Sequence, residues 1–406
     1  MHRFILALTI LAGMFGQPAG AQWRQFRGSD NRSVSHETGL PGRFDAETGE
    51  NIAWKAPLPG RGASGPIVVG DRVIVTASEG VRQDRLHVLC FDAATGNRLW
   101  HRQLWATGST VSHPFGAVAA PTPASDGELV FAFFGSNDLA CFDLDGNLKW
   151  FRGLTYESPL TRNDVGMASS PLVVVDVVVV QMEAQGAPFA AGIDRKTGET
   201  TWRIDRTQGS MWTSPTLLPG ETPDQDLVLL QGRDALTAHD PRTGAVVWAF
   251  SVPCHSTSSV TADQGRVYLQ ADGLNALRPD RAAGEAELLW HELKLGSGAP
   301  SAVVHEERVY VLRSVGIVCA DARDGAILWQ LRMKGPFWAT PVLADGRLYC
   351  VNHGGLVQVV ELGEKGRIVA DCMLEEGILG SPAVAPGALY FRSNANLWKI
   401  SSVDSP

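Results

Sequence analysis

The side chains that stand out for chemistry in this sequence are Arg61, His113, Asn163, Asp164, Trp212, His255 and Trp338. Asn163 and Asp164 together could give oxygen ligands to calcium and a carboxylate base. Trp212 offers a flat stacking platform and Trp338 a second aromatic surface. Neither His113 nor His255 sits in a nucleophile elbow or an H-E-x-x-H pattern, so neither brings a catalytic partner with it. The Ser-rich stretch from Ser256 to Ser259 falls on a small-residue position of a repeat and needs no catalytic explanation. No constellation of nucleophile, base and orienter emerges. Each of the seven reads equally well as a loop residue satisfying backbone groups, and together they read as a rim that binds something.

What places them together is an internal repeat. The segment Cys90 to Trp100, CFDAATGNRLW, recurs as FDLDGNLKW ending at Trp150, IDRKTGETTW at Trp202, HDPRTGAVVW at Trp248 and ADARDGAILW at Trp329, with weaker copies ending at Trp54 and Trp290. Seven of the twelve tryptophans thus close one unit, at steps of 39 to 52 residues. An apolar run leads to an Asp whose carboxylate can accept backbone N–H bonds and hold a turn. A Gly then supplies the left-handed conformation, and the next run pairs back as a hairpin carrying the Trp. The structural residues of the repeat are Asp92, Gly96 and Trp100; Asp143, Gly146 and Trp150; Asp194, Gly198 and Trp202; Asp240, Gly244 and Trp248; Asp321, Gly325 and Trp329.

A second signal runs at another phase. Small residues, usually with a Pro, open an apolar run at Ser64, Ala120, Ser169, Thr213, Ser258, Ala299, Thr340 and Ser381, and in most units a strand such as RVIVTA or RVYVLR follows. Each unit then holds four strands, A to D, and the class is all-β: an eight-bladed β-propeller of four-stranded antiparallel blades. The chain ends after a third strand, Asn396 to Ile400, while Asn51 to Lys55 is a fourth strand without its first three. The N-terminal strand should therefore complete the last blade. With strands alternating in direction, A–B and C–D turns share one end of the ring, and B–C and D–A connections share the other. The second end takes the insertions, 21 residues from Trp100 to Pro121 and again from Trp150 to Pro171, against 12 from Trp329 to Pro341. The seven rim candidates all lie near the ends of D–A segments.

The A-x-D-x-x-T-G-x-x-x-W pattern is similar to the tryptophan-docking repeat of the pyrroloquinoline quinone (PQQ) propellers. The opening QWRQFRG, with SGPIVVGDRVIVTAS after it, resembles secreted PQQ-like repeat proteins described as similar to BamB, the propeller subunit of the outer-membrane β-barrel assembly machinery. The resemblance covers essentially the whole chain after the leader. It implies a non-catalytic, extracytoplasmic scaffold that presents its insertion-bearing face to a protein partner or small ligand. The alternative it implies is a PQQ- and calcium-dependent quinoprotein dehydrogenase, for which Asn163, Asp164 and Trp212 are the nearest match. Alcohol dehydrogenases of that family carry adjacent cysteines and a longer chain, and no Cys-Cys occurs here. The scaffold reading predicts no cofactor and no metal.

Composition sets the remaining bounds. Residues 1–21 read as a signal peptide, with Arg3, an apolar stretch from Phe4 to Phe15 and an Ala19-Gly20-Ala21 cleavage site, so the expected location is periplasmic or secreted. An uncleaved anchor is the alternative. No Cys lies near Ala21 to carry a lipid, whereas BamB is a lipoprotein. Residues 22–50 form an N-terminal extension, 51–401 the propeller and 402–406 a tail. With 35 Lys and Arg against 43 Asp and Glu and no basic run, nucleic acid is not an expected partner, and the chain should be a monomer. Of the six cysteines, Cys90, Cys141 and Cys319 sit before the repeat turn in different units, which favours buried thiols over disulfides.

Overall fold

A computed structural model describes residues 22–161, 165–254 and 257–402. The chain is a β-propeller of antiparallel sheets. Five sheets have four strands each, in chain order from the innermost strand outward except at the closing sheet. Two sheets depart from the uniform four-stranded expectation. The one built on Ile67–Val69 gains a fifth strand, Gln22–Trp23, on its inner edge, because that edge has free backbone groups and the N-terminal segment reaches them. The units that begin at Thr216–Leu218 and Thr261–Asp263 merge into one eight-stranded sheet through a single parallel pairing, Ala249 with Glu285.

The repeat turn works as its residue types dictate. Asp92 Oδ1 accepts the Thr95 N–H and the Thr95 hydroxyl, both at 2.7 Å, and Asp194 and Asp240 accept backbone N–H groups two and three residues on in the same way. These hydrogen bonds hold the Asp92 and Asp194 carboxyls below the ordinary aspartate range. Gly96 has φ +74°, and a Cβ there would also lie 2.7 Å from the ring of Trp54, the tryptophan of the neighbouring unit. The same close approach joins Gly146 to Trp100, Gly198 to Trp150, Gly244 to Trp202 and Gly325 to Trp290. Each docked indole donates to a carbonyl of the turn beneath it, as Trp100 does to Leu144 O at 2.8 Å and Trp202 to Pro241 O at 2.8 Å. The tryptophan therefore fastens one sheet to the next. Two tryptophans depart from this: Trp329 meets Gly366 but has no partner for its Nε1 among the described residues, and Trp248 is fully buried, likewise lacks an Nε1 partner, and is not approached by Gly284 of the following turn. Direct strand pairing replaces docking at that junction.

The N-terminal strand Ile52–Pro57 pairs antiparallel with Asn396–Ser401, so the first strand of the repeat completes the last sheet. The apolar core lies between sheets. One cluster holds Val68, Val73 and Leu89 from the first sheet with Ala383, Leu389 and Ile400 from the closing one and Val342, Tyr349 and Val359 from the sheet before it. Burial shared only between neighbours is how a repeat chain of this length stabilises itself. All six cysteines are buried and free.

Inside the ring the innermost strands are stitched by side-chain hydroxyls. Gly65 N–H donates to Thr122 Oγ1, Thr122 N–H to Ser170 Oγ, Ser170 to Ser214, Ser214 to Ser259, Ser259 to Ser301, Ser301 to Thr340 and Thr340 to Ser381, all between 2.9 and 3.1 Å. The relay stops where Gly65 has no side chain to offer Ser381. A Cβ on Gly65 would sit 2.6 Å from Ser381 O, so the first and last inner strands meet backbone to backbone.

Residues 22–35 seal one end of this ring. Ser125 N–H donates to Arg24 O, Val173 N–H to Gln25 Oε1, Leu217 N–H to Asn31 Oδ1 and Leu343 N–H to Ser33 O, so one segment caps inner strands of four sheets in turn. Arg32 adds an ion pair to Asp263 at 2.7 Å. Arg27 is fully buried and reaches Thr216 Oγ1, Thr261 Oγ1 and Val260 O.

Candidate functional site

With its A–B end closed, the central channel becomes a blind cavity of about 470 Å³ that opens at the insertion-bearing end. Phe26, from the sealing segment, forms part of the lining. All seven relay hydroxyls line the cavity, Ala63, Ala120, Ala168 and Ala299 narrow its walls little, and His113, Phe115, Trp212 and Trp338 line it from the D–A loops. The volume falls in the range that holds small organic ligands.

The sequence candidates separate into three groups. His113, Trp212 and Trp338 come together on this lining. Arg61 does not join them: it donates to Pro114 O at 2.7 Å and Gly116 O at 2.6 Å, which fixes the 113–116 turn, and it faces a neighbouring depression shared with Phe115 and His353. Asn163, Asp164 and His255 lie outside the described residues, as does the segment 1–21. The long loop after Trp100 folds over the mouth, held by His113 N–H to Val165 O at 3.0 Å and by an edge contact of Phe115 with His353, ring centroids 5.3 Å apart. Trp212 is oriented by its Nε1 donating to Gly166 O at 2.9 Å.

Three features escaped sequence reasoning. The relay hydroxyls were visible only as the small residue beside a Pro that opens each inner strand. Phe26 and Arg27 were visible only as an aromatic and a cation in an extension without repeat character. Phe115 sits beside His113 in an insertion whose path no pattern sets.

Apolar side chains on loops are confined to one end. Val81 and Val315 on B–C connections, and Val111, Phe115, Leu160 and Trp338 on D–A connections, are exposed, Phe115 by 55%. Among the described residues, the A–B and C–D turns carry no exposed large hydrophobic side chain. The calcium and base candidates Asn163 and Asp164 lie outside the described residues, so the described lining leaves the quinone reading untested. The lining presents hydroxyls, rings and small apolar groups, and no group of three or more His, Cys, Asp or Glu able to hold a metal occurs among the described residues.

A family described as outer membrane protein assembly factor BamB matches residues 28–192, 190–300 and 282–369. The chain belongs to this family of PQQ-like repeat propellers. Similar solved structures fall on both branches of the fold. BamB from Moraxella catarrhalis is 18% identical with a TM-score of 0.62, covering 87% of this chain and 98% of that one. A europium-containing methanol dehydrogenase is 15% identical at a TM-score of 0.64, covering 93% and 91%. A quinohemoprotein alcohol dehydrogenase from Comamonas testosteroni is 14% identical at 0.69, covering 95% and 81%. At these identities the likeness is one of fold. The mouse protein FAM234B is 33% identical over 145 residues, which is 32% of this chain, and the chain spans 22% of that protein's length. Among the described residues no helix is long and apolar enough to cross a membrane.

Proposed function

We propose that this chain is an extracytoplasmic, non-catalytic, eight-bladed propeller that binds a protein partner or small ligand through its insertion-bearing end. The observation that carries the reading is the asymmetry of the two ends: exposed apolar side chains lie on the loops of the insertion-bearing end, with Phe115, Val165 and Trp338 at the cavity itself, and are missing from the described turns opposite. Clustered exposed apolar surface beside a concavity is where binding is expected. Membership in the BamB-described family supports a scaffolding role, and the leader read in residues 1–21 supports export. Arg61, His113, Trp212 and Trp338 belong to this face, with Asn163, Asp164 and His255 assigned to it by their place in the repeat.

A photo-crosslinking residue placed at Phe115 should capture an adduct in the extracytoplasmic fraction, whereas the same residue at Glu306, in an A–B turn, should not. Equal labelling at both positions, or none at Phe115, would overturn the assignment of the face. The quinoprotein reading is tested separately by titrating PQQ with and without Ca²⁺ into the purified protein. Flat titrations are expected; saturable, calcium-dependent binding lost in Asp164→Ala would replace the scaffold reading with the dehydrogenase one.

A further inference from the structure

The relay leaves something unused. Each of Thr122, Ser170, Ser214, Ser259, Ser301, Thr340 and Ser381 accepts one backbone N–H through its hydroxyl oxygen. None of the seven has an acceptor for its own proton among the described residues, and every one is more than nine-tenths buried and lines the cavity. A hydroxyl carries one donor as well as its lone pairs, so the channel is girdled by O–H donors whose natural acceptor is absent from the protein. An unsatisfied buried donor is costly, which makes an acceptor on the channel axis favourable.

Behind the lining, next to Phe26, lies a charge of one sign. Arg27 reaches Thr216 and Thr261, which open the inner strands two residues beyond Ser214 and Ser259, about 6–7 Å further along the chain. Its Nε has no partner and it forms no ion pair among the described residues. Burial pulls its pKa down to about 9, Asp30 opposing only part of that, so it remains a cation at neutral pH. A buried guanidinium with no carboxylate bonded to it, behind a circle of donors, makes a field that favours an anion. Above the girdle the character changes to Ala120, Ala168, Met167, Trp212 and Trp338. The described lining thus combines a band of acceptor-seeking hydroxyls with apolar surface on either side of it, Phe26 at the closed end and the rings of Trp212 and Trp338 towards the mouth.

We infer that the channel is a binding site for a small monocarboxylate with an apolar body, its acid group on the hydroxyl girdle and its body between the loops at the mouth. Among the described residues Arg27 is joined by Arg392, also buried without an ion pair and packed behind Gly62, so a carboxylate head suits the hydroxyl girdle while further carboxylates would lie against apolar wall. The inference rests on the proposed binding role of this face but makes a narrower claim, and it can fail while Phe115 still crosslinks.

Phenylacetate is a suitable probe, with 2-phenylethanol as its uncharged partner, read by calorimetry and by the fluorescence of the tryptophans. Phenylacetate should bind saturably and at least about tenfold more tightly than the alcohol, the step expected for charge-assisted hydrogen bonds. Ser214→Ala with Ser259→Ala should remove most of that preference while leaving the alcohol's affinity nearly unchanged. Should that double variant melt early, Ala299→Leu, which narrows the cavity beside Ser301 without removing a relay hydroxyl, should weaken binding of both. Equal affinity for acid and alcohol, no binding of the acid to the folded protein at about 10 mM, or full affinity in Ala299→Leu would each overturn the proposal. So would chloride or water alone occupying the girdle while phenylacetate fails to compete. A short peptide with a free C-terminal Phe binding far more tightly than phenylacetate would reassign the site to a protein terminus.

Discussion

The two ends of the ring are built from the same repeat and do opposite things. At the A–B end, one segment of fourteen residues, 22–35, crosses the channel and satisfies inner strands of several sheets, and the surrounding turns are mostly short and polar, the 219–226 connection being the longer exception. At the D–A end nothing among the described residues spans the channel in that way, and loops bring Phe115, Trp212 and Trp338 to its mouth. The difference follows from connectivity. A tight Asp-Gly hairpin spends its side chains on holding its own backbone, whereas a connection that must carry the chain from an outer strand to the next inner one has residues left over. Stabilising contacts are therefore concentrated at one end, and the proposed binding surface lies at the other.

The largest test of this contrast removes the stabilising elements. Deleting residues 51–55 takes away the strand that pairs with Asn396–Ser401, and should lower the melting temperature by about 10 °C or more in a thermal scan. An unchanged melt would remove closure from the account. Arg27→Met comes next. It removes the guanidinium donor from Thr216 and Thr261 in a buried site and leaves Val260 O with the Thr216 hydroxyl alone, and chemical denaturation should show a loss of about 2–4 kcal/mol. A neutral result would mean that the guanidinium's desolvation cancels its bonds.

A smaller effect separates one sheet junction from another. Gly146→Ala forces a Cβ 2.6 Å from Trp100 at a positive φ and should destabilise by about 1–3 kcal/mol, while Gly284→Ala, with open space around it, should cost about 1 kcal/mol for its conformation alone. Similar values for the two would refute the docking account of the junctions. The pH dependence is smaller still. His239 is buried between Gly244 O and Thr237 Oγ1, and burial lowers its pKa from 6.5 to about 4. Between those values the unfolded chain binds the proton and the folded chain does not, so stability should fall as pH drops from about 6.5 towards 4. His239→Gln should flatten that part of the curve. At the binding end, by contrast, Phe115→Ser and Trp338→Ser should move the melting temperature by no more than about 2 °C, because both side chains are already exposed, while reducing crosslinking at the mouth.

Legibility in the sequence tracks how local each decision is. The turn is set within six residues: Asp92 accepts from Thr95, and Gly96 supplies the positive φ, so spacing alone announces it. The pairing of the N-terminal strand with the last sheet was readable as well, because an incomplete unit at each end of a repeat has one partner available. His113, Trp212 and Trp338 could be placed near one another by counting from the inner strands. Arg61 was counted the same way and went elsewhere, because a long side chain can reach the carbonyls of Pro114 and Gly116 on a neighbouring loop. The merged sheet at Trp248 was not readable, since Asp240, Gly244 and Trp248 match the repeat, and the departure lies in how the next turn, at Gly284, sits beside them.

By itself, then, the sequence determined the repeat, its turns, its strand class and the way its ends meet, because those depend on residues close in the chain or on counting. Only the tertiary structure decided that residues 22–35 close the channel, that single hydroxyls from successive inner strands form one girdle, and that Arg27 lies behind it with no carboxylate bonded to it. Each of those joins groups that are neighbours around the axis and far apart along the chain. Their hydrogen bonds exist once the ring has brought the inner strands within reach, and no local spacing encodes them.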